Sequence, residues 1–345
     1  MSSLTTRCRA PLRLGLAGGG TDLSPYAEEF GGAVFNCTID RYAYAFIAPR
    51  EDGQVVFEAK DLKREEFFEG PAGVHRSQLD LHRGVYLRMI RDYHGGRALP
   101  LTITTTVDAP MGSGLGSSSA LVVALVDAFR VLLDAPLGPY DVARLAHEIE
   151  RVDLKLAGGK QDQYAAAFGG ANFIEFLTDS RVIVNPLRVS SWIKNELEAS
   201  LVIAFSGQSR SSSEVIEQQT TQMTTRSAAA LEPLHRLKAD AVDMKNLLLR
   251  GQIRQMADLL NSSWEAKKRT AASVSNAKID QLYELARANG ALGGKVSGAG
   301  GGGFMMLICR PEDRPSLIES LRAAGTIAEP VKLADGGCET WQAPT

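Results

Sequence analysis

The chain has 345 residues, 44% of them hydrophobic and 23% charged, with a formal net charge of −2. That length accommodates two ordinary domains and a sizeable core, in a normal globular composition. The near-neutral balance excludes an electrostatic case for nucleic acid or an anionic membrane surface, so an anionic ligand has to be held locally.

Cys8, Cys37, Cys309 and Cys338 are scattered, without a C-x-x-C pair, and His75, His82, His94, His147 and His235 are isolated. This is no pattern for structural zinc. No N-terminal stretch resembles a signal peptide, and no apolar run reaches the roughly 18 residues of a membrane span. The expectation is a reduced, cytoplasmic protein without nucleic-acid or membrane partners.

In chain order, residues 43–49 and 55–57 read as extended. Leu79, His82, Val85, Tyr86, Met89, Ile90 and Tyr93 keep helical spacing up to Gly95 and Gly96. The β-branched run 101–107 then feeds the loop Pro110-Met-Gly-Ser-Gly-Leu-Gly-Ser-Ser-Ser-Ala120. Residues 120–134 are apolar almost all round, which predicts a buried helix stopped by Pro136. A second helix, 140–156, carries Val142, Leu145, Ala146, Ile149 and Val152 on one stripe, and a short one restarts at Lys160. Extended segments follow at 171–176 and 181–186. From about 190 the texture changes: a strand at 199–205, the polar run 206–213, long helices to about 289, then strand, glycine loop, strand, helix and strand. A domain boundary near 190 is expected, giving units 1–190 and 191–345.

Glycines that allow close backbone approach, followed by hydroxyls at a helix N-terminus, make the 110–120 loop a phosphate cradle. Two commoner phosphate motifs fit poorly. Gly290 to Val296 has three residues where a P-loop has four and lacks the hydroxyl after Lys295. Gly298, Gly300 and Gly303 satisfy a bare G-x-G-x-x-G, but a strand-like segment follows where a dinucleotide fingerprint opens a helix.

Three segments in this order resemble the GHMP kinases: Arg9 to Asp22 with its Gly18-Gly19-Gly20-Thr21-Asp22 ending, the 110–120 loop, and Lys295 to Phe304. Within that superfamily, Gly18–Asp22, residues 159–165 and residues 182–187 look like the D-glycero-D-manno-heptose 7-phosphate kinases, over essentially the whole chain. The resemblance implies an α+β fold: an N-terminal domain like the second domain of ribosomal protein S5 and a ferredoxin-like C-terminal domain, with ATP and substrate between them.

It also implies roles. Pro110, Gly112, Ser113, Gly114, Leu115, Gly116, Ser117 and Ser118 match the ATP loop, and Ser118 and Glu150 match the magnesium positions. Magnesium prefers hard oxygen ligands, and Glu150 lies nearer the apolar stripe than Glu148, although either can face solvent. Asp162 matches the catalytic aspartate, and Arg13 a basic residue that lowers the acceptor hydroxyl's pKa. Asp22 matches the sugar-binding aspartate of galactokinase, at the same separation from Arg13; Gly19 and Gly20 replace the Glu-His pair there. That leaves room for a bulkier sugar, or serves a tight turn. Gly18, Thr21, Gln161, Gly298, Gly300 and Gly301 complete the implied substrate site, and the last motif also permits a mobile lid. Lys160 and Arg210 are the candidates for a distal phosphate.

The activity implied is ATP- and magnesium-dependent phosphorylation of a heptose 7-phosphate at its anomeric hydroxyl, for nucleotide-activated heptose synthesis. Alternatives are a fucose- or uronic-acid-type sugar-1-kinase, or a catalytically silent sugar or ATP sensor. The resemblance leaves a homodimer open.

Overall fold

The computed structural model describes residues 4–110, 112–207 and 212–344. Arg210 lies outside the described residues. The first half contains β1 (Leu4–Ala17), α1 (Tyr26–Phe30), β2 (Gly32–Pro49), β3 (Gln54–Ala59), β4 (Arg64–Glu69), α2 (Pro71–Val74), α3 (Asp80–Tyr93), β5 (Leu101–Val107) and α4 (Ser117–Leu132). There follow α5 (Pro139–Glu148), α6 (Gln161–Phe168), β6 (Ala171–Phe176) and β7 (Val182–Pro186). The second half contains α7 (Ser191–Ser200), β8 (Leu201–Phe205), α8 (Ser212–Thr224), α9 (Ala228–Leu249), α10 (Ile253–Lys268), α11 (Ala277–Ala288), β9 (Ala291–Val296), β10 (Phe304–Cys309), α12 (Arg314–Ala323), β11 (Ala328–Pro330) and β12 (Glu339–Pro344).

Eight strands form one sheet, in which β12-β1-β2-β5-β3-β4 run side by side. The long strand β2 pairs with β5 through its second half and with β6 through its first, and β7 follows β6. Cys8, Ala10, Leu12, Leu14 and Leu16 alternate along β1 and are buried in the main core, as period-two geometry requires of one sheet face. The β1–β2 register breaks between Pro11 and Arg13. The extra residues fall on β2, between Thr38 and Tyr42, so β1 keeps its alternation and Arg13 stays on the face opposite Leu12 and Leu14. Helix α4 is buried from Ser119 to Phe129 and packs on β1 and β2, in agreement with its all-round apolar sequence.

The second sheet has the order β11-β8-β10-β9 and is antiparallel throughout. Along β10, Phe304, Met306 and Ile308 enter the main core, while Met305, Leu307 and Cys309 enter a second core with residues of α11 and α12. A strand covered on both faces loses polar alternation, which explains the continuous apolar run Phe304–Cys309.

Two details differ from the sequence reading. The chain end does not stay with the second sheet: β12 pairs antiparallel with β1, Leu4 opposite Pro344 through Arg9 opposite Glu339, so an uninterrupted unit 191–345 does not coincide with that sheet. Strand pairing across the whole chain length leaves no signal in local periodicity. The helix read as 140–156 is α-helical only to Glu148 and finishes in a π turn, Ile149–Asp153, where Leu154 N–H bonds to Ile149 C=O. The extra residue in that turn moves the apolar stripe onto half-buried Leu154 and leaves Val152 64% exposed.

Candidate active site

A cleft of about 550 Å³ is lined by Arg13, Gly20 and Asp22 from the first motif, residues 112–114 and 116–119 of the second, and Gly298 and Ala299 of the third. Glu150, Gln161 and Asp162 border the same space. Three segments far apart in sequence therefore meet at one place.

Arg13 joins them. It is 4% exposed; its Nε and Nη2 bond to Asp162 Oδ1 at 2.8 and 2.6 Å, and its Nη1 donates to Gly114 C=O at 2.6 Å and Ser297 Oγ at 3.3 Å. Its backbone N–H also donates to Leu115 C=O at 3.0 Å. A planar guanidinium can serve several acceptors in fixed directions, which a lysine at this position cannot.

The loop before α4 is built for close approach. Gly116 precedes the helix at φ 75° with no side-chain cap, so the first-turn N–H groups face the cleft with the positive end of the helix dipole. A Cβ on Gly114 would lie 2.4 Å from Ser297 O, and one on Gly303 2.4 Å from Ser113 O, so glycine is required where the second and third motifs touch. Phe304 N–H bonds to Ser113 C=O and Gly301 N–H to Val274 C=O, which pins the second half of the third motif. Ser117 and Ser118 line the cleft, whereas Leu115 is buried beneath it and Pro110 is not in the lining.

Asp22, 3% exposed, accepts from the backbone N–H groups of Lys160 and Gln161 at 3.1 and 3.2 Å, from Gly20 N–H at 3.1 Å and from Gln161 Nε2 at 3.4 Å. It thus caps α6, the helix that carries Asp162 in its first turn. A Cβ on Gly159 would fall 1.9 Å from Asp22 Oδ2, so the glycine before this helix makes room for the carboxylate.

Glu150 is buried, with Gln163 Nε2 at 2.5 Å, and burial pushes its carboxyl above the ordinary range. Glu148 instead pairs with Arg88 and Arg144 at 2.7 and 2.9 Å, away from the cleft. The π turn separates these two carboxylates. The Ser118 hydroxyl and Glu150 carboxylate are a hard oxygen set suited to magnesium.

Other expected site residues take different places. Thr21 is buried, its Oγ1 donating to Gly18 and Ala33 C=O, and a Cβ on Gly18 would strike Ala33 O; both shape the loop without lining the cleft. Gly19 offers its C=O to Lys267, and Gly300 and Gly301 pack on Val274. The Lys160 side chain is also outside the lining; it lies near His147, where it helps depress that imidazole's pKa. Conversely, Arg151, Gln219 and Lys267 border the cleft and were not singled out from sequence. Lys267 begins the run Lys267-Lys268-Arg269 at a helix C-terminus, which looks like surface charge complementing the helix dipole. Among the described residues no cluster of three or more His, Cys, Asp or Glu side chains could hold a metal, and no helix is long and apolar enough to cross a membrane.

With this geometry in place, two family matches fall on the site-bearing segments: the GHMP kinases N terminal domain over residues 80–170 and the GHMP kinases C terminal domain over 244–327. The chain is 41% identical over 339 residues to the D-glycero-alpha-D-manno-heptose 7-phosphate kinase of Campylobacter jejuni, covering 98% of this chain and 99% of that one. The chain belongs to the GHMP kinase family. It therefore has the GHMP kinase fold and is a phosphotransferase that uses ATP. A crystal structure of a D-glycero-D-manno-heptose 1-phosphate kinase from Bacteriodes thetaiotaomicron superposes with a TM-score of 0.83 at 40% identity, covering 99% of this chain and all of that one. Lactococcus lactis galactokinase in complex with galactose superposes with a TM-score of 0.73 at 18% identity over 98% of this chain and 95% of that one, a likeness of fold.

Proposed function

We propose that this GHMP kinase transfers the γ-phosphoryl group of ATP to the anomeric C1 hydroxyl of D-glycero-D-manno-heptose 7-phosphate, giving the 1,7-bisphosphate and ADP. The observation that carries the reading is Arg13 gripping Asp162, Gly114 and Ser297 together, which gathers the three motifs around one carboxylate at the cleft. The substrate follows from the near-full-length 41% identity to the C. jejuni heptose 7-phosphate kinase.

In this reading the backbone N–H groups of residues 112–118 hold the triphosphate. Asp162 accepts or orients the proton of the attacking hydroxyl, and Arg13 holds that carboxylate in place. Asp22 fixes α6 and borders the acceptor with Gly20, Gln161 and Gly298. Ser118 and Glu150 would hold magnesium, which when bound neutralises phosphate charge. Every role falls on one chain, so the reading needs no second copy. ATP as donor suits a cytoplasmic enzyme of nucleotide-activated heptose synthesis. A silent sensor is disfavoured by the Arg13–Asp162 pair opening onto the cleft, an arrangement that sugar binding alone does not require.

The test is ADP release over a panel of sugars and sugar phosphates, with phosphorus NMR of the product. Heptose 7-phosphate should exceed heptose, galactose and fucose by on the order of 10³-fold in kcat/KM. The product should carry the original phosphomonoester and a new phosphate coupled to the anomeric proton. Equal use of an unphosphorylated sugar, or a new phosphate away from C1, rejects the substrate.

A further inference from the structure

The reaction as described leaves two buried lysines, Lys267 and Lys295, without a task, and Lys267 is the one that borders the cleft. Lys267, on the last turn of α10, is 3% exposed yet borders the cleft. Its Nζ donates to Gly19 C=O at 2.9 Å. Among the described residues that is its one hydrogen bond, out of three an ammonium can donate.

The carboxylates around this cation are already engaged by other partners. Arg13 is matched by Asp162. Lys267 and buried Lys295, whose Nζ bonds to Gly15 C=O at 2.7 Å, lie near Arg13, with Asp22 as the carboxylate near Lys267 and Asp240, itself paired with Arg236 at 2.6 Å, as the one near Lys295. Asp22 already accepts four hydrogen bonds, three from the start of α6 and one from Gly20 N–H. Burial pushes the Lys267 ammonium down to about 8 and that of Lys295 down to about 7. Desolvated cations without full counter-charge are costly, and an arriving anion relieves that cost.

Gly20 supplies the geometric link. It sits at φ +106°, and a Cβ there would lie 3.2 Å from Lys267 Nζ. Any side chain at this position would crowd the ammonium, so the space released by the glycine is the space beside the cation. This contact lies at the first motif. The anion-binding loop 112–118 instead meets Asp162 and Ser297, through Gly116 and Gly114. Two anionic groups can therefore be held on different sides of the Arg13–Asp162 pair.

We propose that Lys267 is a specificity-determining residue for the phosphate already carried by the acceptor, pairing with that phosphomonoester through the gap left by Gly20. The assignment rests on the acceptor reading given under Proposed function. It replaces Lys160, whose side chain lies outside the cleft lining. Lysine suits the task as a point charge with donors to spare, since a phosphomonoester offers three acceptor oxygens.

The experiment measures wild type, Lys267→Met and Lys267→Arg with heptose 7-phosphate and with unphosphorylated heptose, at saturating and varied ATP. If wild type uses both sugars equally, the acceptor reading itself fails, whatever the variants do. If wild type requires the phosphate, Lys267→Met should raise KM for heptose 7-phosphate by about 100-fold or more, for a lost charged contact. It should leave kcat within a few-fold and KM for ATP unchanged, and cost heptose far less than heptose 7-phosphate, while Lys267→Arg recovers part of the loss. An equal loss on both sugars, or a loss in kcat or ATP affinity alone, overturns the proposal. A wild-type measurement covers misfolding of the variants: trace acetic anhydride labelling of Lys267, read by mass spectrometry, should be blocked by heptose 7-phosphate and not by heptose or by ADP with magnesium. Blocking by ADP with magnesium, or no blocking by heptose 7-phosphate, also overturns it.

Discussion

Arg13 and Asp162 are 149 residues apart and meet through two nitrogens on a single oxygen, Asp162 Oδ1, with the guanidinium buried and the carboxylate 24% exposed toward the cleft. Asp162 Oδ2 is left beside Gly116, where an added Cβ would lie 3.2 Å away. One oxygen is thus committed to holding the carboxylate in place, while the other borders the glycine-serine loop 112–118. Asp162→Asn keeps the shape but loses the charge and the proton acceptor. Turnover should fall by about 10² to 10⁴-fold or more with ATP affinity nearly intact, checked by single-turnover kinetics and ADP titration. Wild-type turnover in this variant rejects the assignment.

The separation of Glu150 from Glu148 gives a paired prediction. If Ser118 and Glu150 hold magnesium as proposed, Glu150→Gln and Ser118→Ala should each raise the magnesium concentration for half-maximal rate by roughly tenfold, since each would weaken an oxygen ligand. Glu148→Gln touches only the ion pairs with Arg88 and Arg144 and should stay within about twofold of wild type. A shift in Glu148→Gln and none in Glu150→Gln reverses the choice of carboxylate.

Gly159 tests whether Asp22 positions the helix of Asp162. In Gly159→Ala the methyl group lies 1.9 Å from Asp22 Oδ2, and a short carboxylate held by four hydrogen bonds cannot move without disturbing α6. A displacement of about 1 Å at a reacting group can cost about 10²-fold, so kcat should drop by that order while thermal stability falls modestly. Asp22→Ala should lose about 0.5–2 kcal/mol of stability through the missing cap, together with activity. Unchanged kcat in Gly159→Ala would show that α6 tolerates the shift.

Acid stability should report on His82. It is 2% exposed against Thr105 Oγ1 at 2.9 Å, and burial depresses its imidazole to about 4, from an ordinary 6.5. The unfolded chain binds a proton first as pH falls, so the stability from the neutral buried ring is complete above about 6.5 and is lost progressively toward about 4. The full loss is roughly 3 kcal/mol. His147, also depressed to about 4, contributes in the same direction. Urea unfolding at pH 7 and pH 4.5 should show a smaller difference in His82→Gln than in wild type; an equal difference removes His82 as a cause.

Local chemistry carried much of this in the sequence itself. The hydroxyls and glycines of 112–118 and the all-round apolar run after them determined a buried helix with a glycine-serine mouth, because both depend on backbone conformation and period within a dozen residues. The order of three motifs determined the family. What folding alone decided lies in contacts between distant segments. Arg13 becomes the centre of the site because the face of β1 opposite Leu12 and Leu14 meets Gly114, Asp162 and Ser297 only in the folded chain. Gly159 is required because Asp22 arrives from 137 residues earlier, a clash that no local pattern encodes. A π turn puts Glu150 inside and Val152 outside, against the stripe read at 3.6 residues per turn. Lys267 looks like one more charge at a helix end until packing buries it against Gly19 and Gly20, since burial of a charged group is a property of the assembled fold and not of its neighbours in sequence.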